Sequence, residues 1–151
     1  MVVVGDGPLK SEYVAILKND GTESCVKFIG EIPTHELSRY YSACDIFLMP
    51  SRRLPSDGLN VVVPEAMACG KAVVSTPVGC QGLGLTDGAD VLVHAASADF
   101  AEALATVLSD PALAASLGRH ARATVEQRFS WDSIAAAALA SYAALLRESR
   151  P

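Results

Sequence analysis

Two carboxylates eight positions apart, Asp57 and Glu65, sit where this 151-residue sequence passes from a polar stretch into an apolar run. If the chain turns from loop into helix between them, they fall at two depths of one pocket, and two anionic acceptors there suit two sets of sugar hydroxyls. Gly58 lets the backbone approach a ligand closely, and amides at the start of the helix can donate to diphosphate or sugar oxygens. A plainer reading stays open beside this one: Asp57 closes an Asx-turn or faces solvent, and Glu65 pairs with Lys71 at the surface. Arg52 and Arg53 precede Asp57, within reach of a phosphate or simply solvated. Cys80 has no activating base nearby in sequence, so it is not read as a nucleophile. His35, His94 and His120 lack ligand-like spacing and read as surface or packing residues.

The elements that must position these residues follow from an alternation of short β-branched runs with helical patterns, the mark of a parallel sheet flanked by helices. Five strands are expected, at residues 2–4, 26–29, 46–49, 73–74 and 91–93. A first helix spans residues 9–19 with Tyr13, Ile16 and Leu17 on one stripe and Gly21 as its stop. Thr34 caps a second helix bearing Leu37, Tyr40 and Tyr41, and a third carries Glu65 and stops at Gly70. Beyond the sheet, Ser97 or Asp99 opens one helix, Asp110-Pro111 another, and Ser130 caps a last one whose apolar face holds Ile134, Leu139, Tyr142, Leu145 and Leu146. Trp131 reads as a docking anchor for that helix. In an open parallel sheet the ligand lies beyond the carboxyl ends of the strands, so the loops after Met49 and Ser75 should lie side by side.

Composition narrows the function. Half the residues are hydrophobic and the formal net charge is -5, which offers no basic field for nucleic acid. The cysteines Cys25, Cys44, Cys69 and Cys80 form no CxxC pair, so neither a zinc framework nor a redox motif is visible, and buried free thiols in a reducing cytosol are expected. No apolar run approaches the roughly 18 residues of a membrane span, and the start carries no signal-like segment. The expected location is the cytoplasm. A dinucleotide fingerprint is excluded at the first turn, because Gly5-Asp6-Gly7-Pro8-Leu9-Lys10 lacks the third glycine.

The stretch from Asp57-Gly58-Leu59-Asn60 through Pro64-Glu65-Ala66-Met67-Ala68-Cys69-Gly70 to Val73-Val74-Ser75 resembles the signature of the retaining glycosyltransferase family 4, group 1, of GT-B fold. Three further blocks stand in the family's order: Val4-Gly5-Asp6-Gly7-Pro8, Phe28-Ile29-Gly30 and Ala43-Cys44-Asp45-Ile46-Phe47-Leu48-Met49-Pro50-Ser51. Together they cover nearly the whole chain as a single C-terminal, Rossmann-like, nucleotide-sugar-binding domain, residues 1–151. The resemblance implies that Glu65 accepts from the ribose hydroxyls and Asp57 holds hydroxyls of the donor sugar. It implies too that the amides of Gly58, Leu59 and Asn60 face donor sugar or phosphate, and that Val61 and Ile32 flank the nucleoside. The family usually has Glu where Asp57 stands, one methylene longer. The loop 79–84 matches a Gly-rich turn behind the donor site, and reads equally as a flexible connection.

No cofactor and no metal are implied; the partner is a nucleotide sugar. The family's phosphate-neutralising Arg and Lys, the first βα unit and the N-terminal acceptor-binding domain are not in this sequence. A fragment of a longer protein is therefore expected, with the missing half supplied in cis or in trans and with room for peripheral membrane association through it. On its own such a chain should be inactive. Two other functions remain to be weighed: a non-catalytic nucleotide-binding or regulatory module, and another GT-B enzyme such as a nucleotide-sugar epimerase.

Overall fold

The computed structural model describes residues 1–52, 59–95 and 98–148. They fall into two compact units, Met1–Leu37 and Ser38–Pro151.

In the first unit, strands β1 (Val2–Val4) and β2 (Lys27–Gly30) pair in parallel. The turn after β1 needs glycine: Gly5 has φ of 114°, and its amide donates to the Gly30 carbonyl at 2.8 Å. Asp6 shapes the following residues, accepting from the Gly7 amide and from Lys10 Nζ, each at 2.8 Å. The Lys10 bond, then the Gly7 amide, hold the Asp6 carboxyl below the usual carboxylate range. Helix α1 (Lys10–Asn19) ends at Gly21, whose φ of 68° is left-handed. The expected stripe on α1 does not become core, since Tyr13 and Ile16 are exposed and no residue of the helix is buried. A two-stranded sheet has too little surface to cover a helix face.

The second unit holds most of helix α2 (Thr34–Ala43), then β3 (Ile46–Met49), α3 (Val62–Ala68), β4 (Ala72–Ser75), β5 (Leu92–Val93), α4 (Ala98–Ser109), α5 (Pro111–Arg128) and α6 (Trp131–Glu148). Its sheet runs β3-β4-β5, all parallel, with Ile46 opposite Ala72 and Met49 opposite Ser75. The five expected strands thus form two hydrogen-bonded parallel sheets among the described residues, and the α/β, Rossmann-like expectation holds. β4 is central and all four of its residues are buried. Ala72 and Val74 pack with Ala103, Val107 and Leu117, and Ile46, Leu48, Leu92 and Phe100 close the cluster. Gly118 on α5 permits this packing, because a Cβ there would land on the Gly70 carbonyl oxygen at the end of α3.

Two of the expected caps act as the sequence implies, whereas Thr34 is the first residue of α2 itself. Asp110 accepts from the Ala112 and Leu113 amides ahead of Pro111, and Ser130 Oγ accepts from the Ser133 amide at 3.2 Å. Ser97 lies outside the described residues. The reading of α6 needs correcting, however. Trp131 is 86 % exposed instead of anchoring the helix, and Ile134, Leu139, Tyr142 and Leu145 are exposed as well. Burial needs an opposing apolar face, and among the described residues the contact of α6 with α5 leaves these side chains uncovered. The cysteines are free as expected but none is buried: Cys25 is exposed and the other three are half-buried. No single helix among the described residues is long and apolar enough to cross a membrane.

Candidate functional site

The site is built where β3 and β4 end. Their parallel register carries both chains out at one edge of the sheet, and the loops that follow are tied together as expected. The Thr76 amide donates to the Met49 carbonyl at 3.1 Å, and Thr76 Oγ1 donates to the Ser51 carbonyl and accepts from the Gly79 amide at 3.0 Å. Asn60 Nδ2 donates across to the Gly79 carbonyl at 2.8 Å. Gly79 is irreplaceable in this joint, since a Cβ would sit 2.6 Å from the Met49 carbonyl oxygen and 2.5 Å from Ser75 Oγ. The 79–84 segment is thus a fastened turn, and its far end is held by Arg128, which donates to the carbonyls of Gly84 at 2.6 Å and Leu83 at 3.2 Å.

From this joint the chain enters α3 through Asn60 and Val61. The Val63 amide bonds the Asn60 carbonyl and the Glu65 amide bonds the Val61 carbonyl, so the helix forms directly on the anchored Asn60. The amides ahead of the first full turn have no helical acceptor of their own. On α3, Val63, Ala66 and Met67 are fully buried and fix the helix, which leaves Glu65 half-buried on its other side. Leu59 and Val61 remain exposed beside it, and Leu59 rests against Gly82, 3.2 Å from where a Cβ there would lie.

Glu65 does not pair with Lys71. Its Oε2 accepts from the Tyr41 hydroxyl at 2.8 Å, while Lys71 Nζ donates to the Ser42 carbonyl at 2.7 Å. Tyr41 is 8 % exposed and meets Phe47 edge-on with ring centroids 5.6 Å apart. Burial, and then the bond to Glu65, push its phenol well above the usual range, so it stays a neutral donor.

Of the residues expected from sequence, Asn60 is fastened into the joint, Leu59 and Val61 stand exposed on either side of it, and Glu65 lies on the helix that follows. Asp57, Gly58 and Arg53 lie outside the described residues, and Ile32 belongs to the first unit, half-buried between β2 and α2. Arg52 is exposed. The Cys80 thiol contacts the Thr76 and Pro77 carbonyls. Among the described residues no three His, Cys, Asp or Glu side chains are grouped to hold a metal ion. Sequence reasoning gave no site role to Tyr41 or Thr76, and read Gly79 only as part of a Gly-rich turn. Nothing local marks Tyr41 apart from Tyr40, since its role arises from a contact 24 positions away.

Comparison with known proteins places this geometry. The family model for glycosyl transferases group 1 matches residues 1–110. A GDP-mannose-dependent monoacylated alpha-(1-6)-phosphatidylinositol monomannoside mannosyltransferase of Corynebacterium glutamicum is 32% identical over 137 residues, covering 87% of this chain and 35% of that protein. A D-inositol 3-phosphate glycosyltransferase of Kribbella flavida is 34% identical over 135 residues, covering 86% of this chain and 30% of that protein. The chain therefore spans about a third of the length of these relatives. Among solved structures, sucrose-phosphate synthase from Thermosynechococcus elongatus superposes with a TM-score of 0.79 at 30% identity, over 98% of this chain and 39% of that one. Anabaena HepE in complex with UDP gives 0.80 at 25% identity, over 95% of this chain and 40% of that one. The chain belongs to the glycosyl transferases group 1 family and has the α/β, Rossmann-like architecture of GT-B glycosyltransferases.

Proposed function

We propose that this chain is the nucleotide-sugar-binding domain of a retaining glycosyltransferase, which moves a sugar from a nucleoside diphosphate to an acceptor. The observation that carries the reading is the joint at the carboxyl ends of β3 and β4, where Asn60 is fastened to Gly79 and leads through exposed Val61 into the helix that bears Glu65, the place where open parallel sheets take ligands. In this role Glu65 accepts from the ribose hydroxyls, and the exposed apolar side chain of Val61 flanks the nucleoside. The amides of Gly58, Leu59 and Asn60 face the donor sugar or phosphate, and Asp57 takes hydroxyls of the donor sugar.

Departure of a nucleoside diphosphate concentrates negative charge on its phosphates, and stabilising that charge calls for positive groups aimed at it. The proposed enzyme draws these, and the acceptor site, from an N-terminal half in cis or in trans, and works in the cytoplasm without a metal or other cofactor. The 151-residue chain alone binds the donor and transfers nothing.

The relative from Corynebacterium is GDP-mannose-dependent and HepE was solved with UDP, so both diphosphates are suitable probes. Titration calorimetry of the chain with UDP and GDP should show binding of one or both, weakened about ten- to a hundredfold by Glu65→Ala, as expected for loss of a charged hydrogen bond worth roughly 1.5–3 kcal/mol. Unchanged affinity in Glu65→Ala removes Glu65 from the ribose role.

A further inference from the structure

Glu65 carries its carboxylate on a side chain with three rotatable bonds, and a ligand that binds it must first stop that motion. Tyr41 already does so. Its hydroxyl donates to Oε2 at 2.8 Å. The tyrosine is itself packed in place: the ring is buried and meets Phe47 of β3 edge-on, and its backbone carbonyl receives the Cys44 thiol at 3.2 Å. One residue on, the Ser42 carbonyl takes the Lys71 ammonium at 2.7 Å, which ties the last turn of α2 to the junction between α3 and β4. The two ends of the Tyr41–Glu65 bond thus stand on elements held by separate fastenings. A carboxylate has acceptor capacity on both oxygens, so a single donor on Oε2 leaves Oε1 able to receive a ligand hydroxyl.

We propose that Tyr41 is a positioning residue of the nucleoside site, whose hydroxyl holds Oε2 of Glu65 so that Oε1 is presented to the vicinal hydroxyls of a ribose. This rests on the reading of Glu65 as the ribose ligand. Tyr41 makes no contact with the nucleotide; it acts by removing the rotational freedom of the residue that does. It therefore contributes only to ligands that carry the diol, and only while Glu65 is present.

The test compares UDP and GDP with their 2′,3′-dideoxy counterparts, bound by the 151-residue chain in the wild-type form and as Tyr41→Phe, Glu65→Ala and the double variant. Tyr41→Phe keeps the ring in the core and deletes only the donor. It is expected to weaken the ribonucleotide about tenfold, to leave the dideoxy ligand nearly unchanged, and to add nothing to Glu65→Ala. Glu65→Gln forms a second arm that leaves Tyr41 intact: it removes the charge and replaces one acceptor oxygen by an amide donor, so with the remaining oxygen on the Tyr41 hydroxyl the preference for the ribonucleotide should fall likewise. Equal weakening of both ligands by Tyr41→Phe would make Tyr41 merely structural, and full ribose preference in Glu65→Gln would also overturn the proposal. If Glu65→Ala loses the preference and Tyr41→Phe keeps it, the positioning role fails and the ribose reading stands. If Glu65→Ala binds as the wild type does, or the wild type binds neither ribonucleotide, both fail together.

Discussion

Strand β4 and helix α6 are both rich in apolar residues, yet the strand is sealed on every side while the helix keeps Leu139, Tyr142 and Leu145 more than half exposed. β4 has a strand on each edge and α3, α4 and α5 packed against it, so its valines are covered from both faces. Among the described residues α6 meets α5, and Leu139, Tyr142 and Leu145 stay outside that contact. The difference teaches that an apolar stripe states a demand for a partner, and that burial depends on which elements are close enough to supply one. It also explains where the site sits. Thr76, directly after the sealed strand, bonds the Met49 carbonyl at the end of β3, and Asn60 bonds Gly79 at the same edge.

The contrast should appear most strongly in paired truncations. Met67→Ala, at a fully buried position of α3, is expected to cost about 2–5 kcal/mol, whereas Leu139→Ala, on the exposed face of α6, should stay within roughly 0.5 kcal/mol. Urea denaturation monitored by circular dichroism measures both, and equal losses would break the comparison. A smaller effect is expected where α5 meets α3. Gly118→Ala places a methyl against the Gly70 carbonyl and should cost about 1–3 kcal/mol, read from the same denaturation midpoints, with no gain from the better helix former. A neutral or stabilising result would mean that α5 can withdraw from the sheet.

The smallest effect is confined to alkaline solution. The folded state holds the Tyr41 proton more tightly than the unfolded chain does, so this contribution to stability is fully present below about pH 10 and is lost as the pH rises beyond it. Tyr41→Phe should therefore flatten the decline of the denaturation midpoint above pH 10 and leave its slope at neutral pH unchanged. An identical alkaline decline in both proteins would place the loss elsewhere.

How much of this was legible in the sequence depended on how local the signal was. The caps at Asp110 and Ser130 and the helix stops at Gly21 and Gly70 are set by neighbouring residues, and each stands where the sequence implies. The adjacency of the loops after Met49 and Ser75 follows from parallel strands leaving one edge of a sheet, a rule of topology. The partner of Glu65 was not legible. Lys71 was the neighbour in sequence, but the contact is made by Tyr41 on a different helix, brought there by the packing of its ring on Phe47. The exposure of Trp131 and Tyr13 was hidden for a related reason, since periodicity marks a face without naming what lies opposite. Asp57 and Gly58, half of the motif that drew attention first, lie outside the described residues.

The most direct test of the central claim is a proton–nitrogen correlation spectrum of the labelled chain titrated with UDP and with GDP. The account predicts that at least one diphosphate shifts the amides of Leu59, Asn60, Val61, Glu65 and Gly79 in a saturable way, with Tyr41 among those that follow, and leaves α6 unmoved. Shifts confined to α6, or no shift with either diphosphate at millimolar concentration, would contradict it.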